Sequence, residues 1–236
     1  MHRYEKENLA VFLPTRKGSQ RVKNKNTRKF ACFESGLLEL KLRQLRDISC
    51  VSEIVLSSND DESLAIGEMF SKTCSKLRIV NRPDHLSENT TNLTDLVKYV
   101  PSICDTEHIL WTHVTSPFFE AEDYEKAIRF YFQAIRNGYD SLMSVKRYKE
   151  FLWSKEKNDL VNRATPQKWP QTQDLAELYE IDNAIFIASR NVYIDQSDRI
   201  GKQPELFVQD GIKAFDIDWE DDFSLAEMIY EKNIRK

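Results

Sequence analysis

Short apolar runs alternate with segments of helical periodicity along the chain, and this alternation limits the possible folds more than any other feature. Strands that alternate with helices build a parallel sheet, because right-handed crossovers place the helices on its two faces. The sequence therefore predicts an α/β fold with a doubly wound, mainly parallel sheet. The predicted strands are residues 9–13, 53–57, 77–80, 108–115, 140–145, 184–188 and 214–218. The predicted helices are residues 36–48, 91–104 with a break at Pro101, 122–137 and 220–233, and a further helix opens at Asp60 and Asp61.

One stretch, residues 151–178, departs from this alternation. It begins like a hairpin and continues as a polar segment that contains Pro166 and Pro170. We interpret it as a small flap inserted into a single domain that covers residues 1–236. Exposed aromatic side chains often mark an interface, so the aromatic residues of the flap make it a candidate dimerisation segment. The alternative is that these residues cover the flap's own small core.

The composition indicates a soluble, cytoplasmic protein with no membrane partner. No apolar run approaches the roughly 20 residues that span a bilayer, and residues 1–8 are polar and charged rather than typical of a signal peptide. The cysteines are widely spaced and form no CxxC pair, which argues against a disulfide framework and against a zinc ribbon.

Residues 16–29 form a strongly basic loop in a chain whose net charge is −4. The loop lies between a predicted strand and a predicted helix, where backbone N–H groups and cationic side chains can surround phosphate oxygens. It fits neither GxxxxGK[ST] nor GxGxxG. A solvated loop or a nucleic-acid patch is the alternative, but the loop lacks the aromatic residues that stack on bases. We therefore expect a small anionic ligand and no nucleic acid.

The basic loop contains the spacing R-x-G-S-x-R-x-x-x-K-N, which resembles the signature loop of the acylneuraminate cytidylyltransferases, the CMP-sialic acid synthetase family. The matching residues are Arg16, Gly18, Ser19, Arg21, Lys25 and Asn26. The resemblance implies a Rossmann-like nucleotidyltransferase fold in which these residues bind CTP. It also implies transfer of CMP to an acidic sugar with release of pyrophosphate, Mg²⁺ as cofactor, and a homodimer.

Three later segments extend the resemblance along the chain. N-R-P-D-H-L-S resembles a segment whose arginine lies near the nucleotide, here Arg82. T-S-P resembles the end of a segment that approaches the sugar, here Thr115 and Ser116. Q-D-L and D-N-A-I-F-I are similar to family motifs that imply substrate contacts for Gln173 and Asn183.

An acidic pair near the end of the chain, Asp216 and Asp218, is the candidate magnesium site. It resembles the family's D-I-D ending, whose two leading aspartates bind the metal. Residues two apart on a strand point the same way, so a strand here places both carboxylates on one face and Ile217 on the other. Two such carboxylates suit a hard octahedral cation that keeps several waters. The alternative, an acidic cluster that serves a helix dipole, better fits residues 220–222.

The cations of the basic loop suit the reaction that the resemblance implies. When a sugar hydroxyl attacks the α-phosphate of CTP, charge stays on the phosphoryl oxygens and on pyrophosphate, so catalysis depends on positioning and charge neutralisation. We therefore predict that Arg16 and Lys25 are catalytic and that Arg21 also binds phosphate, because arginine offers a planar fork and lysine a mobile point charge. The remaining cations of the loop, predicted to face solvent, are Lys17, Lys23, Arg28 and Lys29.

The departures from the family pattern concern mainly the acceptor side. His113 stands where the family has glutamine, Glu180 where it has arginine, and Asn59 where it has aspartate. His113 is then either a substrate contact or a satisfied structural residue. The family's acceptors are nonulosonic acids such as sialic, legionaminic and pseudaminic acids, and a different small acid or a phosphonate is the alternative. If His113 and Glu180 flank one pocket, N-acetylneuraminic acid is a poor substrate compared with another acid. A non-catalytic nucleotide-sugar binding protein is the remaining alternative.

Overall fold

The predicted parallel sheet is present in the computed structural model, which describes residues 8–19, 21–88 and 90–234. Among these residues the strands are, in chain order, β1 (Leu9–Pro14), β2 (Glu53–Ser58), β3 (Leu77–Asn81), β4 (His108–Trp111), β5 (Ser141–Tyr148), β6 (Trp153–Ser154), β7 (Asp159–Leu160), β8 (Leu178–Ser189) and β9 (Pro204–Gln209). The main sheet has the order β3-β2-β1-β4-β8-β5-β9. β8 runs antiparallel to β4 and β5, and every other neighbouring pair in this sheet is parallel. The predicted fold class is confirmed.

Helices cover both faces of the sheet. They are α1 (Gly36–Arg46), α2 (Asp61–Ser71), α3 (Leu93–Ile103), α4 (Ala121–Arg136), α5 (Arg190–Gln196) and α6 (Glu220–Ile234). Leu9 and Val11 on β1 belong to the core that includes α1, α4 and α6, whereas Ala10 and Phe12 belong to the core that includes α3 and α5. A central strand of this kind is buried on both sides, which explains its unbroken apolar sequence.

The predicted break at Pro101 does not occur, because α3 continues to Ile103. The proline ring removes one N–H from the helix, yet Cys104 N still donates to Val100 O at 3.0 Å. The carbonyl of Pro101 accepts two hydrogen bonds from Arg190, at 3.3 Å from Nε and 2.8 Å from Nη2. These bonds join α3 to the start of α5 and fix the last turn of α3.

The predicted strand at residues 214–218 is wrong. A 3₁₀ turn, Gly211–Ala214, is followed by an extended segment that belongs to neither sheet. The amide of Ile217 donates to Thr115 O at 2.9 Å, and Thr115 lies beyond the last residue of β4. The segment therefore crosses the carboxyl edge of the sheet instead of adding a strand to it. β4 is also shorter than predicted, since it ends at Trp111.

The flap begins with the predicted hairpin, in which β6 pairs with β7. The Trp153 ring stacks on Trp169 with centroids 6.3 Å apart and planes inclined by 17°, and Phe151 lies 6.4 Å from Trp169. These rings contact one another, but Phe151, Trp153 and Trp169 remain 44%, 49% and 65% exposed. The flap's own packing therefore leaves much of this aromatic surface uncovered.

The longest helix of the described residues, α4, has 16 residues and starts with a capping box in which the Glu120 amide donates to Asp123. No helix in the described part of the chain is both long and apolar enough to cross a bilayer. Cys50, Cys74 and Cys104 are buried, whereas Cys32 is exposed.

Candidate active site

A cavity of about 470 Å³ opens at the carboxyl ends of β1 and β4, where ligands bind in open α/β sheets. Its walls come from the basic loop, from the segment after β3, from α3 and from the residues that end and follow β4. The predicted site residues that line it are Arg16, Ser19, Arg21, Lys25, Asn26, Arg82, His113 and Thr115. Leu93, Leu96 and Trp111 add apolar surface to the same walls. One cavity therefore gathers most of the residues that the sequence motifs singled out.

A larger and more open depression, about 800 Å³, lies beside β3 at the edge of the sheet. Its two cations already have protein partners, because Arg78 Nε donates to Glu53 at 2.5 Å and Lys76 Nζ donates to the Ile48 carbonyl. The described residues that line the depression include no free basic cluster for an anionic ligand, so we assign the active site to the smaller cavity.

The basic loop is held in shape by its own polar residues. Thr27 Oγ1 donates to Glu62 Oε2 on α2 at 2.8 Å, and Asn26 Nδ2 donates to the Arg16 carbonyl at 3.5 Å. Gly18 has φ +80°, a left-handed conformation that glycine adopts without strain. The loop therefore presents its cations from a defined backbone.

Arg82, which is only 3% exposed, is fixed by the segments that follow β1 and β3. Its Nε donates to Ser87 Oγ at 2.8 Å and its Nη2 donates to Thr15 O at 2.5 Å, but Nη1 is buried without a partner. Burial, together with the nearby Arg16, lowers the pKa of Arg82 to about 10, so the guanidinium stays charged at neutral pH. A buried, charged donor without a protein partner is well suited to bind an anionic ligand.

Lys25 and Arg21 extend from the basic loop to the segment that carries the acidic pair. Lys25 Nζ donates to the Ile217 carbonyl at 2.7 Å, and Arg21 Nη1 lies 3.1 Å from Asp218 Oδ1. Burial lowers the pKa of Lys25, while Asp216 and Asp218 act in the opposite direction. The predicted phosphate-binding cations and the predicted metal ligands are therefore neighbours.

Asp216 is the more buried member of the acidic pair. Its Oδ2 accepts a hydrogen bond from Asn183 Nδ2 at 3.3 Å, and its Oδ1 is buried without a partner. Burial raises the pKa of Asp216, and so does Asp218, whereas hydrogen bonds from Thr115 and Asn183 lower it. Two carboxylates this close, one with an unpartnered oxygen, suit a hard cation. Within the described residues, no cluster of three or more His, Cys, Asp and Glu side chains with metal-binding geometry is present.

Asn183 reaches Asp216 because β8 bulges at this point. The pairing of β5 with β8 shifts register after Met143, and Asn183 adopts φ +58° within the bulge. Asp182 Oδ1 accepts hydrogen bonds from Ser144 Oγ and from Ala184 N, which hold the bulge on both sides. Bulges often re-aim side chains beside active sites.

His113 lies on the cavity wall as a neutral acceptor. Trp111 Nε1 donates to His113 Nε2 at 3.0 Å, and Arg199 Nη1 lies 3.4 Å from the same atom. Burial, followed by the nearby cations, of which Arg199 is the strongest, lowers the pKa of His113 to about 3. Sequence reasoning missed Arg199, because a single arginine in a polar stretch belongs to no motif.

The other predicted site residues lie away from the cavity wall. Ser116 is buried and its hydroxyl has no partner, whereas Gln173 is exposed on the 3₁₀ turn Thr172–Asp174 and donates to Gln171. Gly18 borders a smaller, adjacent cavity. Glu180 is exposed on β8 opposite Lys146, and the described residues that line the main cavity do not include it.

A second residue that the sequence pattern did not reveal is Lys41 on α1, which is completely buried. Its Nζ donates to the Ser116 carbonyl at 2.8 Å and lies 2.9 Å from Tyr124 Oη, and Gln44 Nε2 donates to the Pro117 carbonyl at 2.7 Å. α1 therefore holds the segment that follows β4, which carries Thr115 into the cavity.

The chain matches the model of a protein family, cytidylyltransferase, over residues 10–235, nearly its whole length. The chain belongs to the cytidylyltransferase family. It is therefore a nucleotidyltransferase, as the basic loop and the later motifs predicted. The resemblance to CMP-sugar synthetases is confirmed at the level of the family.

Curated relatives of this cytidylyltransferase are distant but match over most of their length. The post-translational flagellin modification protein B of Campylobacter coli is 24% identical over 93% of this chain and 94% of its own. The CMP-N,N′-diacetyllegionaminic acid synthase of Campylobacter jejuni is 23% identical over 91% of each chain. Among solved structures, CMP:2-keto-3-deoxy-manno-octonic acid synthetase complexed with CTP has a TM-score of 0.66 at 12% identity, over 95% of this chain and 99% of that chain. At this identity the structural match supports the fold.

The buried Lys41 makes the stability of this cytidylyltransferase depend on pH. Burial lowers the pKa of Lys41 from 10.5 to about 7, although Glu120 and Asp123 raise it; Lys213 lowers it further. Between these two values the unfolded chain binds a proton that the folded chain has released, so stability rises with pH. We expect the free energy of unfolding of the wild type to rise between pH 7 and pH 9. This rise should exceed that of the Lys41→Met variant by on the order of 2 kcal/mol.

Urea unfolding at both pH values measures this difference. The exposed Lys72→Met variant is the matched control and should retain the wild-type pH slope. Equal slopes for wild type and Lys41→Met would contradict the prediction.

Proposed function

We propose that this cytidylyltransferase transfers CMP from CTP to an acidic sugar of the nonulosonic type, with release of pyrophosphate and with Mg²⁺ as cofactor. The proposal rests on one observation: the basic loop, which lines the cavity, contacts the segment that carries Asp216 and Asp218. Transfer at a phosphate needs cations for the phosphoryl oxygens and carboxylates for a metal, and both kinds of group converge here.

The nucleotide is assigned to the side of the cavity formed by the basic loop and Arg82. The free Nη1 of Arg82 and the side chains of Arg16 and Arg21 supply donors for phosphate oxygens. Ser19 and Asn26 line the same wall and supply neutral donors. Arginine forks match phosphate geometry, so this wall favours a triphosphate over a neutral ligand.

Magnesium is assigned to Asp216 and Asp218. The fit rests on the buried, unpartnered Oδ1 of Asp216 and on hard oxygen donors, which Mg²⁺ prefers. Bound there, the ion supplies charge neutralisation at the phosphates of the substrate. Asn183 orients Asp216, and Lys25 lies between the acidic segment and the nucleotide wall.

The acceptor is assigned to the region around His113 and Thr115. Thr115 lines the cavity and touches the acidic segment through its carbonyl, so a sugar hydroxyl there lies near the reacting phosphate. The named product of the Campylobacter jejuni relative, a CMP-linked N,N′-diacetyllegionaminic acid, favours a nonulosonic acid as acceptor. His113 replaces an amide that the family commonly has, so we expect a preference for an acid other than N-acetylneuraminic acid.

Pyrophosphate release tests the proposed function directly. Purified protein is assayed with each of the four NTPs and with N-acetylneuraminic, N,N′-diacetyllegionaminic and pseudaminic acids, with and without Mg²⁺. The expected result is release that requires CTP, one of the acids and Mg²⁺. Release with another NTP but not with CTP, or no release with any acid, would refute the proposal.

Two ion pairs of the basic loop argue against a nucleic-acid partner. Arg28 forms an ion pair with Glu220 at 2.7 Å, and Lys29 pairs with Glu34, so two outward cations of the basic loop are already neutralised. Weakened positive charge on the outer side of the loop disfavours a phosphate backbone.

We place the enzyme in the cytoplasm, where CTP is available.

We also propose that the enzyme is a homodimer joined through the flap. Trp153, Trp169 and Phe151 form a stacked, largely exposed group, and Tyr179 and Ile181 at the start of β8 are 41% and 43% exposed. Exposed aromatic side chains that pack on one another are typical of the core of a protein interface.

Charging this surface is expected to separate the subunits. Trp153→Glu places a carboxylate in the proposed interface, where its desolvation has no compensating partner. Analytical ultracentrifugation should show a dimer for wild type and a monomer for the variant. The exposed Met69 on α2 provides the control, because Met69→Glu lies far from the flap in the fold and should leave the dimer intact. A wild-type monomer, or a dimeric Trp153→Glu variant, would contradict the proposal.

A further inference from the structure

Arg199 is a cation held against two aromatic rings beside the cavity wall. Its Cζ lies 3.7 Å from the centroid of Phe186 and 4.9 Å from that of Trp111. Phe186 and Trp111 belong to the buried core on the side of α3 and α5, and Trp111 also lines the cavity. Stacking of this kind fixes the plane of a guanidinium while its edge N–H groups stay available.

The backbone around Arg199 is also fixed. Asp198 Oδ1 accepts the amide protons of Arg199 and Ile200, at 2.6 Å and 3.1 Å. Gly201 N donates to Ser141 Oγ at 2.8 Å, which ties the loop to the first residue of β5. Arg199 therefore projects from an ordered turn, and its position next to His113 is a property of the fold.

The donors of Arg199 and His113 are largely unused. The indole N–H of Trp111 can only donate, so His113 Nε2 must accept its hydrogen bond, and the ring proton resides on Nδ1. Arg199 Nη1 is 3.4 Å from the same Nε2, longer than a good hydrogen bond to an acceptor already in use. Among the described residues, His113 Nδ1 has no hydrogen-bonding partner and the Arg199 guanidinium has no carboxylate at ion-pair distance.

We propose that Arg199, beside His113, binds the carboxylate of the acceptor sugar. The inference rests on the proposed function and deepens it by naming the group that recognises the acid. A partly buried cation stacked on apolar rings is costly without a counter-charge, and an acidic substrate supplies one. It also explains why Glu180 can stand where the family has arginine: the cation of the acceptor site is provided from a different loop.

The test compares the Michaelis constants of the two substrates. With CTP saturating, Arg199→Met should raise the KM of the acid that wild type uses, from the three-acid panel, roughly ten- to hundred-fold, because one charge-assisted contact is lost. The KM of CTP should change less than about two-fold, since the nucleotide wall is untouched. Arg199→Lys keeps the charge without the fork and should give an intermediate KM. Lys202→Met removes an exposed charge three residues away and should behave as wild type.

The C1 methyl ester of the same acid separates recognition from a merely structural role. Wild type should discriminate against the ester, and Arg199→Met should lose that discrimination. An unchanged KM for the acid, or equal losses with acid, ester and CTP, would overturn the assignment of Arg199 while leaving the proposed function standing. If Arg199→Met does not fold, the same comparison in Arg199→Lys decides, because normal discrimination and a normal KM there would overturn it. Absence of turnover with all three acids in wild type would instead refute the proposed function, and the assignment with it.

Discussion

Replacing Asp216 with asparagine is expected to lower turnover by roughly 10²-fold or more while leaving the fold intact. Asparagine has the same shape and can still accept the hydrogen bond from Asn183, so the local geometry is preserved. Removing a charge that burial disfavours does not destabilise the fold, since burial already raises the pKa of Asp216. What the variant loses is the anionic, unpartnered Oδ1 that we assign to Mg²⁺.

Three measurements make this prediction specific. Turnover is measured across a magnesium titration, and thermal unfolding is followed on the same samples. Asp218→Asn should show a similar loss, whereas Asp221→Asn, an exposed aspartate in the first turn of α6, should retain wild-type activity. Near-normal turnover of Asp216→Asn at saturating magnesium would exclude it as a metal ligand.

Removal of Lys25 is expected to produce the second large loss, roughly ten- to hundred-fold in kcat/KM for CTP. Lys25 is partly buried, lines the cavity and contacts the Ile217 carbonyl, so its ammonium group lies between the phosphate wall and the acidic pair. Water cannot replace a preorganised charge at that place. Arg16→Ala should cause a comparable loss, because Arg16 lines the same wall.

The basic loop itself supplies the controls for this prediction. Lys17 and Lys29 are exposed, and Lys29 is paired with Glu34, so Lys17→Ala and Lys29→Ala should change CTP use far less. Steady-state kinetics with CTP as the varied substrate distinguishes the two pairs. Equal losses in all four variants would mean that the loop attracts CTP only by diffuse charge.

Periodicity predicted the parts of the fold that bury a continuous apolar pattern. Residues 9–13 are buried throughout, and α2 begins after Asp60, whose side chain accepts the Ser63 amide. α5 has only seven residues, too few for a helical period to emerge, and β9 begins with Pro204 at the edge of the sheet, where burial is incomplete. Such short or half-exposed elements gain their stability from neighbours that the local sequence does not reveal.

The segment with Asp216 and Asp218 shows how a correct pattern can accompany a wrong element. Side chains alternate in direction along any extended backbone, and Ile217 is fully buried as expected. Sheet membership depends on a partner, and here the amide of Ile217 bonds to Thr115 beyond the end of β4. The side-chain directions were therefore predictable, but the pairing was not.

The candidate site likewise contains residues that the sequence predicted and residues that it did not. Motif spacing found the residues of the basic loop because they are contiguous in sequence and share one backbone. Arg199 and Lys41 were not found, because each acts through contacts with residues more than 70 positions away, such as His113 and Ser116. Nothing in the sequence around Arg199 distinguishes it from an ordinary surface arginine.

The reversed direction of β8 determines where an insertion can reach. Because β8 is antiparallel, its first residues lie at the same edge of the sheet as the last residues of β4 and β5, so both ends of the flap lie at the edge of the sheet that carries the cavity. Leu178 at the base of the flap lies only five positions, about 16 Å of strand, before Asn183. Had β8 run with its neighbours, its first residue would lie at the opposite rim, and the insertion would have to cross the sheet to reach it. One inverted strand thus keeps both ends of this insertion at the rim that carries the cavity, so the length of the insertion can change without disturbing the strands that hold the basic loop and Arg82.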